Sequence, residues 1–251
     1  DTAGAIKAVL PVHLYGHPAN MPRIVALAEA HGAAVIEDCA QSHGAAIGDT
    51  ATGAWGTIGT FSFYPTKNLG ALGDGGALVS NRPELAQKAK LLREYGWQER
   101  YISAVPGMNT RLDPMQAAIL RVRLAGLATD NELRRDIAKA YTEAFAGTCL
   151  CLPTERAGCY HVYHQYVVRS EKRDGLRTFL KEKNIGSLIH YPSPVHLQPA
   201  YAARIPLPPE GLPTTERVCQ DILSLPIYPE MGEANTLRVI EAVHAWLGRC
   251  C

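Results

Sequence analysis

The sequence predicts an α/β protein: a mixed, mostly parallel sheet flanked by helices, followed by a smaller α+β domain. Three observations carry this. Residues 9–14 are strand-like, Pro22 opens a helical stretch, and residues 33–36 form a short apolar run; that spacing is a βαβ unit with parallel strands. A second apolar run, residues 58–64, leads into a turn carrying Lys67 and then Gly70, Gly73, Gly75 and Gly76. Late in the chain the elements become short: a strand over 163–169, a helix over 174–183 and a strand over 187–190.

In order, the first helix puts Ile24, Leu27 and Ala28 on its apolar face and ends at His31-Gly32. The run 33–36 suits a strand buried on both faces and finishes in Glu37-Asp38. Five glycines, from Gly44 to Gly59, mark a loop before the 58–64 strand, and residues 76–80 form another strand. Pro83 opens a helix to about Tyr95 with Leu85, Ala89 and Leu92 on one face. Asp113 caps and Pro114 begins a long helical region to Phe145, broken near Gly126. The domain boundary falls along it, giving residues 1–125 and 126–251. The proline-rich stretch 192–213 reads as loop, and 237–247 as a closing amphipathic helix.

With 251 residues, 47% apolar and 20% charged, and a net charge of +1, the chain can bury a substantial core. Nothing in this balance calls for nucleic acid or a membrane as partner. Seven cysteines at uneven spacing, and no leader, favour reduced thiols and a cytoplasmic protein. Cys149, Cys151, Cys159, His161 and His164 lie close in sequence but contain no Cys-x-x-Cys pair. A strand over 160–168 would also put the two histidines on opposite faces, so no metal site is expected there. The chain opens almost directly into strand-like residues 6–12, which reads as the middle of a larger protein.

Lys67 is the residue that needs a chemical reason. Burying an ammonium costs several kcal/mol unless it is paired or neutralised, but a lysine held neutral can condense with a carbonyl, including the aldehyde of pyridoxal phosphate. Asp38 and Lys67 both follow buried strands of one sheet, so both belong at the edge where α/β proteins bind ligands. A carboxylate there can hold the protonated pyridine nitrogen while the lysine holds the aldehyde. Ser62, on the same segment as Lys67, can donate to the phosphate.

At this point a resemblance enters. Residues 37–45 (EDCAQSHGA) and 61–70 (FSFYPTKNLG) resemble the DegT/DnrJ/EryC1/StrS family of nucleotide-sugar aminotransferases, as do GDGG at 73–76, MNTRLDPMQAA at 108–118 and HYPSPVHLQ at 190–198. The resemblance implies a fold-type I enzyme dependent on pyridoxal phosphate. It assigns Asp38 to the ring nitrogen, Gln41 to a place beside the ring hydroxyl, Ser62 to the phosphate and Lys67 to the cofactor aldehyde. Asn109 would reach the phosphate in a neighbouring subunit, implying a homodimer, and His190 and Tyr191 would lie near the nucleotide sugar. Glutamate would be the amino donor, and Lys67, once displaced by the donor's amine, the base that moves the α-proton. Residues 69–74 and 194–198 look most like relatives acting on thymidine-diphosphate 3-keto-6-deoxyhexoses. Family members that dehydrate instead carry histidine in place of Lys67. The family's large domain begins ahead of this chain's first residue, so the phosphate-cradling turn and the ring-stacking aromatic are expected outside it.

Three other readings compete. A nicotinamide-binding Rossmann protein needs Gly-x-Gly-x-x-Gly before a helix, whereas here a strand follows the glycines. A non-catalytic relative would bind cofactor or nucleotide sugar without turnover. The third is another amine-lyase or desulfurase chemistry on the same fold; Cys39 follows Asp38 directly, but nothing marks any cysteine as the mobile nucleophile that a desulfurase uses.

Overall fold

The computed structural model describes residues 6–202, 204 and 206–250. The chain forms two compact units: one ends at Glu132 and also takes Glu155–His164, while the other comprises Leu133–Thr154 and the residues from Gln165 on. The exchange therefore falls inside a helix, beyond the expected 125/126, and residues 155–164 return to the first unit.

The first unit holds β1 (Ala8–Val9), α1 (Met21–Ala30), β2 (Ala34–Asp38), β3 (Ala46–Ile47), β4 (Thr50–Ala51), β5 (Ile58–Ser62) and β6 (Gly76–Val79). It continues with α2 (Pro83–Arg93), β7 (Trp97–Glu99), β8 (Ile102–Ser103), α3 (Pro114–Leu124), the first residues of α4 (Leu127–Phe145) and β9 (Cys159–Tyr160). Its main sheet has the order β1-β2-β5-β6. β1, β2 and β5 are parallel, and β6 returns antiparallel on β5. β1 is shorter than expected, because Pro11 offers no N–H and Leu14–Gly16 is a 3-10 turn; only the bridge Val12↔Asp38 extends the pairing.

α1 buries Met21 and Ala28 against Val35, with Ile24 and Val25 beside them. That stripe runs i, i+3, i+4, i+7 from Met21 and leaves Leu27, expected inside, 61% exposed. α2 has no fully buried residue: of its anticipated apolar face, Leu85 and Ala89 are half-buried and Leu92 is 37% exposed. α3 starts as its sequence dictates: Asp113 Oδ1 accepts the Met115 N–H at 2.8 Å, with Pro114 in the first turn. Gly59 has a steric reason, since a Cβ there would stand 2.5 Å from Gly53 Cα, and the loop ahead of β5 could not lie on the strand.

The single strand expected over 160–168 is two. β9 pairs with β3, residues 161–165 leave the sheet with Tyr163 at φ 39°, and β10 (Tyr166–Arg169) belongs to the second unit. Opposite-face alternation of His161 and His164 therefore does not apply.

The second unit contains most of α4, then β10, α5 (Arg173–Glu182), α6 (Pro213–Asp221), β11 (Ile222–Leu225) and α7 (Gly232–Cys250). β10 and β11 pair antiparallel. The strand expected over 187–190 is reduced to the bridge Leu188↔Ser224, and α6 and β11 were not anticipated. Tyr141, Phe145, Tyr166, Leu176, Leu180 and Val243 form the core here, with the Tyr141 and Tyr166 rings edge-to-face at 5.1 Å. Cys39, Cys151, Cys159 and Cys219 are free thiols, whereas Cys149 is disulfide-bonded, against the expectation of reduced cysteines. Among the described residues no helix is long and apolar enough to cross a membrane.

Candidate active site

The carboxyl ends of β2 and β5 lie side by side in the first unit: Asp38 is in register with Thr60, and Ser62 ends β5. Asp38 Oδ1 accepts the Ala40 N–H at 2.9 Å, which turns the chain out of β2. Gln41 is buried, and its Oε1 accepts the Tyr15 N–H at 2.6 Å; Tyr15 itself is left-handed at φ 61°. Ser62 Oγ accepts the Tyr64 N–H at 3.3 Å. The sequence-predicted residues Asp38, Gln41, Ser62 and Lys67 thus share one edge of one sheet.

Lys67 sits in a turn closed by its own N–H donating to Tyr64 O at 2.9 Å. Burial lowers its pKa below the ordinary lysine value, and the Asp38 carboxylate partly restores it. The amine and the carboxylate are therefore electrostatically coupled. The turn is clamped from α3: Arg123 Nη1 donates to Gly70 O at 2.7 Å, and Gln116 Oε1 accepts the Leu72 N–H at 2.8 Å.

Behind Asp38 lies a second acid. Glu37 is fully buried and accepts from four donors: His13 Nε2 (3.0 Å) and the N–H groups of Gly53 (2.9 Å), Trp55 (2.8 Å) and Gly56 (2.7 Å). Burial alone would raise its pKa, but these hydrogen bonds outweigh burial and hold it below the usual value. His13 Nδ1 accepts the Ala19 N–H at 3.0 Å, so its Nε2 carries the proton given to Glu37. Cys39 completes a buried trio with these two. Chemically the trio is a hydrogen-bond hub and not a cation site: every Glu37 lone pair and both His13 nitrogens are committed, and burial pushes the Cys39 thiol up to about 12.

His43 is the other buried group at this edge. It is 2% exposed, against the rings of Phe61 (5.4 Å) and Phe63 (6.0 Å), and neither ring nitrogen makes a hydrogen bond of good geometry. Burial first, and the Lys67 charge second, lower its pKa to about 4 against a weaker backbone contact from Ser62. Glu37, His13 and His43 escaped the sequence reading. Glu37 had one signal, an acid inside an apolar strand.

Asn109 is exposed beside the end of α2, bridging Glu94 through the backbone and accepting from Arg111 Nε at 3.1 Å. His190 and Tyr191 belong to the second unit. There His190 Nδ1 is 2.8 Å from Ser224 Oγ, and Tyr191 is 52% exposed.

The family model described as the DegT/DnrJ/EryC1/StrS aminotransferase family matches residues 2–244. The chain belongs to this family. It is 47% identical over 245 residues to the dTDP-3-amino-3,4,6-trideoxy-alpha-D-glucose transaminase of Streptomyces venezuelae, covering 97% of this chain and 64% of that protein. It is 45% identical over 240 residues to the pleiotropic regulatory protein of Geobacillus stearothermophilus, covering 94% of this chain and 64% of that one. Among solved structures it matches S. venezuelae DesV in complex with a ketimine intermediate, with a TM-score of 0.94, 46% identity and coverage of 98% and 66%. The chain thus spans slightly less than two thirds of the length of these relatives. The fold is that of the family's aminotransferases, fold type I.

Proposed function

We propose that this DegT/DnrJ/EryC1/StrS family member serves pyridoxal-phosphate-dependent transamination of a nucleotide-linked keto-deoxysugar, with glutamate as amino donor. The observation that carries the reading is the coupled pair: a partly buried lysine with depressed proton affinity and an aspartate ending the neighbouring parallel strand. A primary amine, a carboxylate and a serine hydroxyl at one sheet edge are the donor set that a pyridine aldehyde phosphate requires. When bound, that cofactor supplies an electron sink for a carbanion at the substrate carbon.

The chain's own residues would do the rest. Lys67 would bind the aldehyde and, released by the incoming amine, take the proton from the donor's α-carbon; its lowered pKa increases the neutral fraction available as base. Asp38 would hold the ring nitrogen protonated, Gln41 would lie beside the ring hydroxyl, and Ser62 would donate to the phosphate. Asn109 would reach the phosphate of a second copy in a homodimer, and His190 and Tyr191 would contact the nucleotide sugar. A thymidine-diphosphate 3-keto-6-deoxyhexose is the favoured substrate, supported by the S. venezuelae relative's name.

A second reading, cofactor or sugar binding without turnover, draws support from the relative named a pleiotropic regulatory protein. One experiment separates the two. Pyridoxal phosphate is added to the purified protein, the visible spectrum is recorded, and borohydride reduction is followed by peptide mapping. We expect an absorption band, an adduct on Lys67, and loss of the band on adding glutamate. A Lys67 adduct with a band indifferent to glutamate would favour the regulatory reading, and absence of any band would overturn the transaminase reading.

A further inference from the structure

A buried polar chain links the Asp38 loop to the Lys67 turn. Asn131, at 1% exposure near the start of α4, donates through Nδ2 to the His43 carbonyl at 2.9 Å and accepts at Oδ1 from Asn68 Nδ2 at 2.8 Å. Asn68 follows Lys67 directly and is 7% exposed. Its Nδ2 also donates to Val162 O at 3.1 Å, and its Oδ1 accepts from His164 Nδ1 at 3.0 Å. The fit around Asn131 is tight: a Cβ on Gly44 would stand 2.8 Å from Asn131 Nδ2. Two amides with this many buried commitments have no freedom to rotate.

Apolar side chains would fill this space with less demand on geometry, because every buried donor or acceptor must be matched. The match made here joins the segment that follows Asp38 to the residue that follows Lys67. We propose that Asn131 is a positioning residue for Lys67: bridging Asn68 and the His43 carbonyl, it fixes the Lys67 turn against the Asp38 loop and so sets how far the amine is withdrawn from water. This rests on the transaminase reading for its purpose but not for its test. The groups that act electrostatically with the amine are Asp38 and the His43 ring, and His164 is engaged by Asn68.

The test is competitive acetylation with acetic anhydride across pH on the cofactor-free protein, reading Lys67 by peptide mass spectrometry. The variants are Asn131→Ala and the volume-filling Asn131→Leu, with Val243→Ala in the second unit as a matched loss of stability. With the turn released, Lys67 gains water. Its labelling midpoint should rise toward the ordinary lysine value by about half a unit or more in whichever Asn131 variant retains its circular dichroism, while Val243→Ala lowers Tm alone. An unchanged midpoint in a folded Asn131 variant overturns the proposal. Pyridoxal phosphate uptake by the unmodified protein is read in parallel, so failure of the transaminase reading and failure of this one are separate results.

Discussion

Glu37 receives the Nε2 proton of His13 across 3.0 Å at a point where neither side chain meets solvent. The same carboxylate collects three backbone N–H groups from the 53–56 loop. It therefore ties the end of β2 to the loop that leads into β5, the two strands that end in Asp38 and Ser62.

Glu37→Gln preserves shape but replaces one acceptor oxygen by an amide donor facing N–H groups. Leaving buried donors unmatched in this way should cost about 3 kcal/mol. Guanidinium unfolding at pH 7 measures it. A loss below about 1 kcal/mol would mean that the loop finds other acceptors.

His43 makes the fold acid-sensitive. Its pKa is lowered from 6.5 to about 4, so between these values the unfolded chain takes up a proton that the folded chain refuses. Stability is therefore full above pH 6.5 and falls as pH drops toward 4, by about 3 kcal/mol over the window. His17, also lowered by burial, acts in the same direction. In His43→Gln the slope of unfolding free energy against pH between 4 and 6.5 should shrink without vanishing. An unaltered slope would remove His43 from the account.

The parts of the fold readable in sequence are those set by local chemistry. Asp38 and Lys67 were placed at one sheet edge because each follows a short apolar strand, and Asp113-Pro114 announced the start of α3. The unread parts depend on long-range partners. Nothing near Asn131, on a helix of mostly polar residues, signals that it meets a carbonyl 88 residues upstream. Nor does His13 disclose that its acceptor is 24 residues ahead. α6 and β11 follow the proline-rich stretch 192–213, whose composition reads as loop, although Pro213 opens α6 itself. The strand expected over 160–168 failed because burial alone gives no hint of the left-handed turn at Tyr163.

Gly70 sits inside the Lys67 turn with its backbone against Pro65: a Cβ would lie 2.5 Å from Pro65 O and 2.8 Å from its carbonyl carbon. Backbone atoms cannot swing aside as a flexible side chain can. Gly70→Ala should therefore cost about 2–3 kcal/mol and loosen the grip of Arg123 on the Gly70 carbonyl. Thermal unfolding measures the first effect. The second should appear as an upward move of the Lys67 labelling midpoint in the same acetylation series, because an amine that gains water recovers proton affinity.

Asp38→Asn separates the two influences on Lys67. Burial lowers the lysine's proton affinity, and the Asp38 charge raises it. Removing the charge while keeping the side chain's size leaves burial unopposed, so the labelling midpoint of Lys67 should move further down. That is opposite in sign to the upward move expected when Asn131 is truncated and the amine gains water. The same acetylation series reads both variants against the unmodified chain. A downward move in Asp38→Asn with an upward one in Asn131→Ala fits a withdrawn amine held beside a carboxylate. Movement of both in one direction would mean that solvent access alone governs Lys67, and that Asp38 is too far from the amine to act on it.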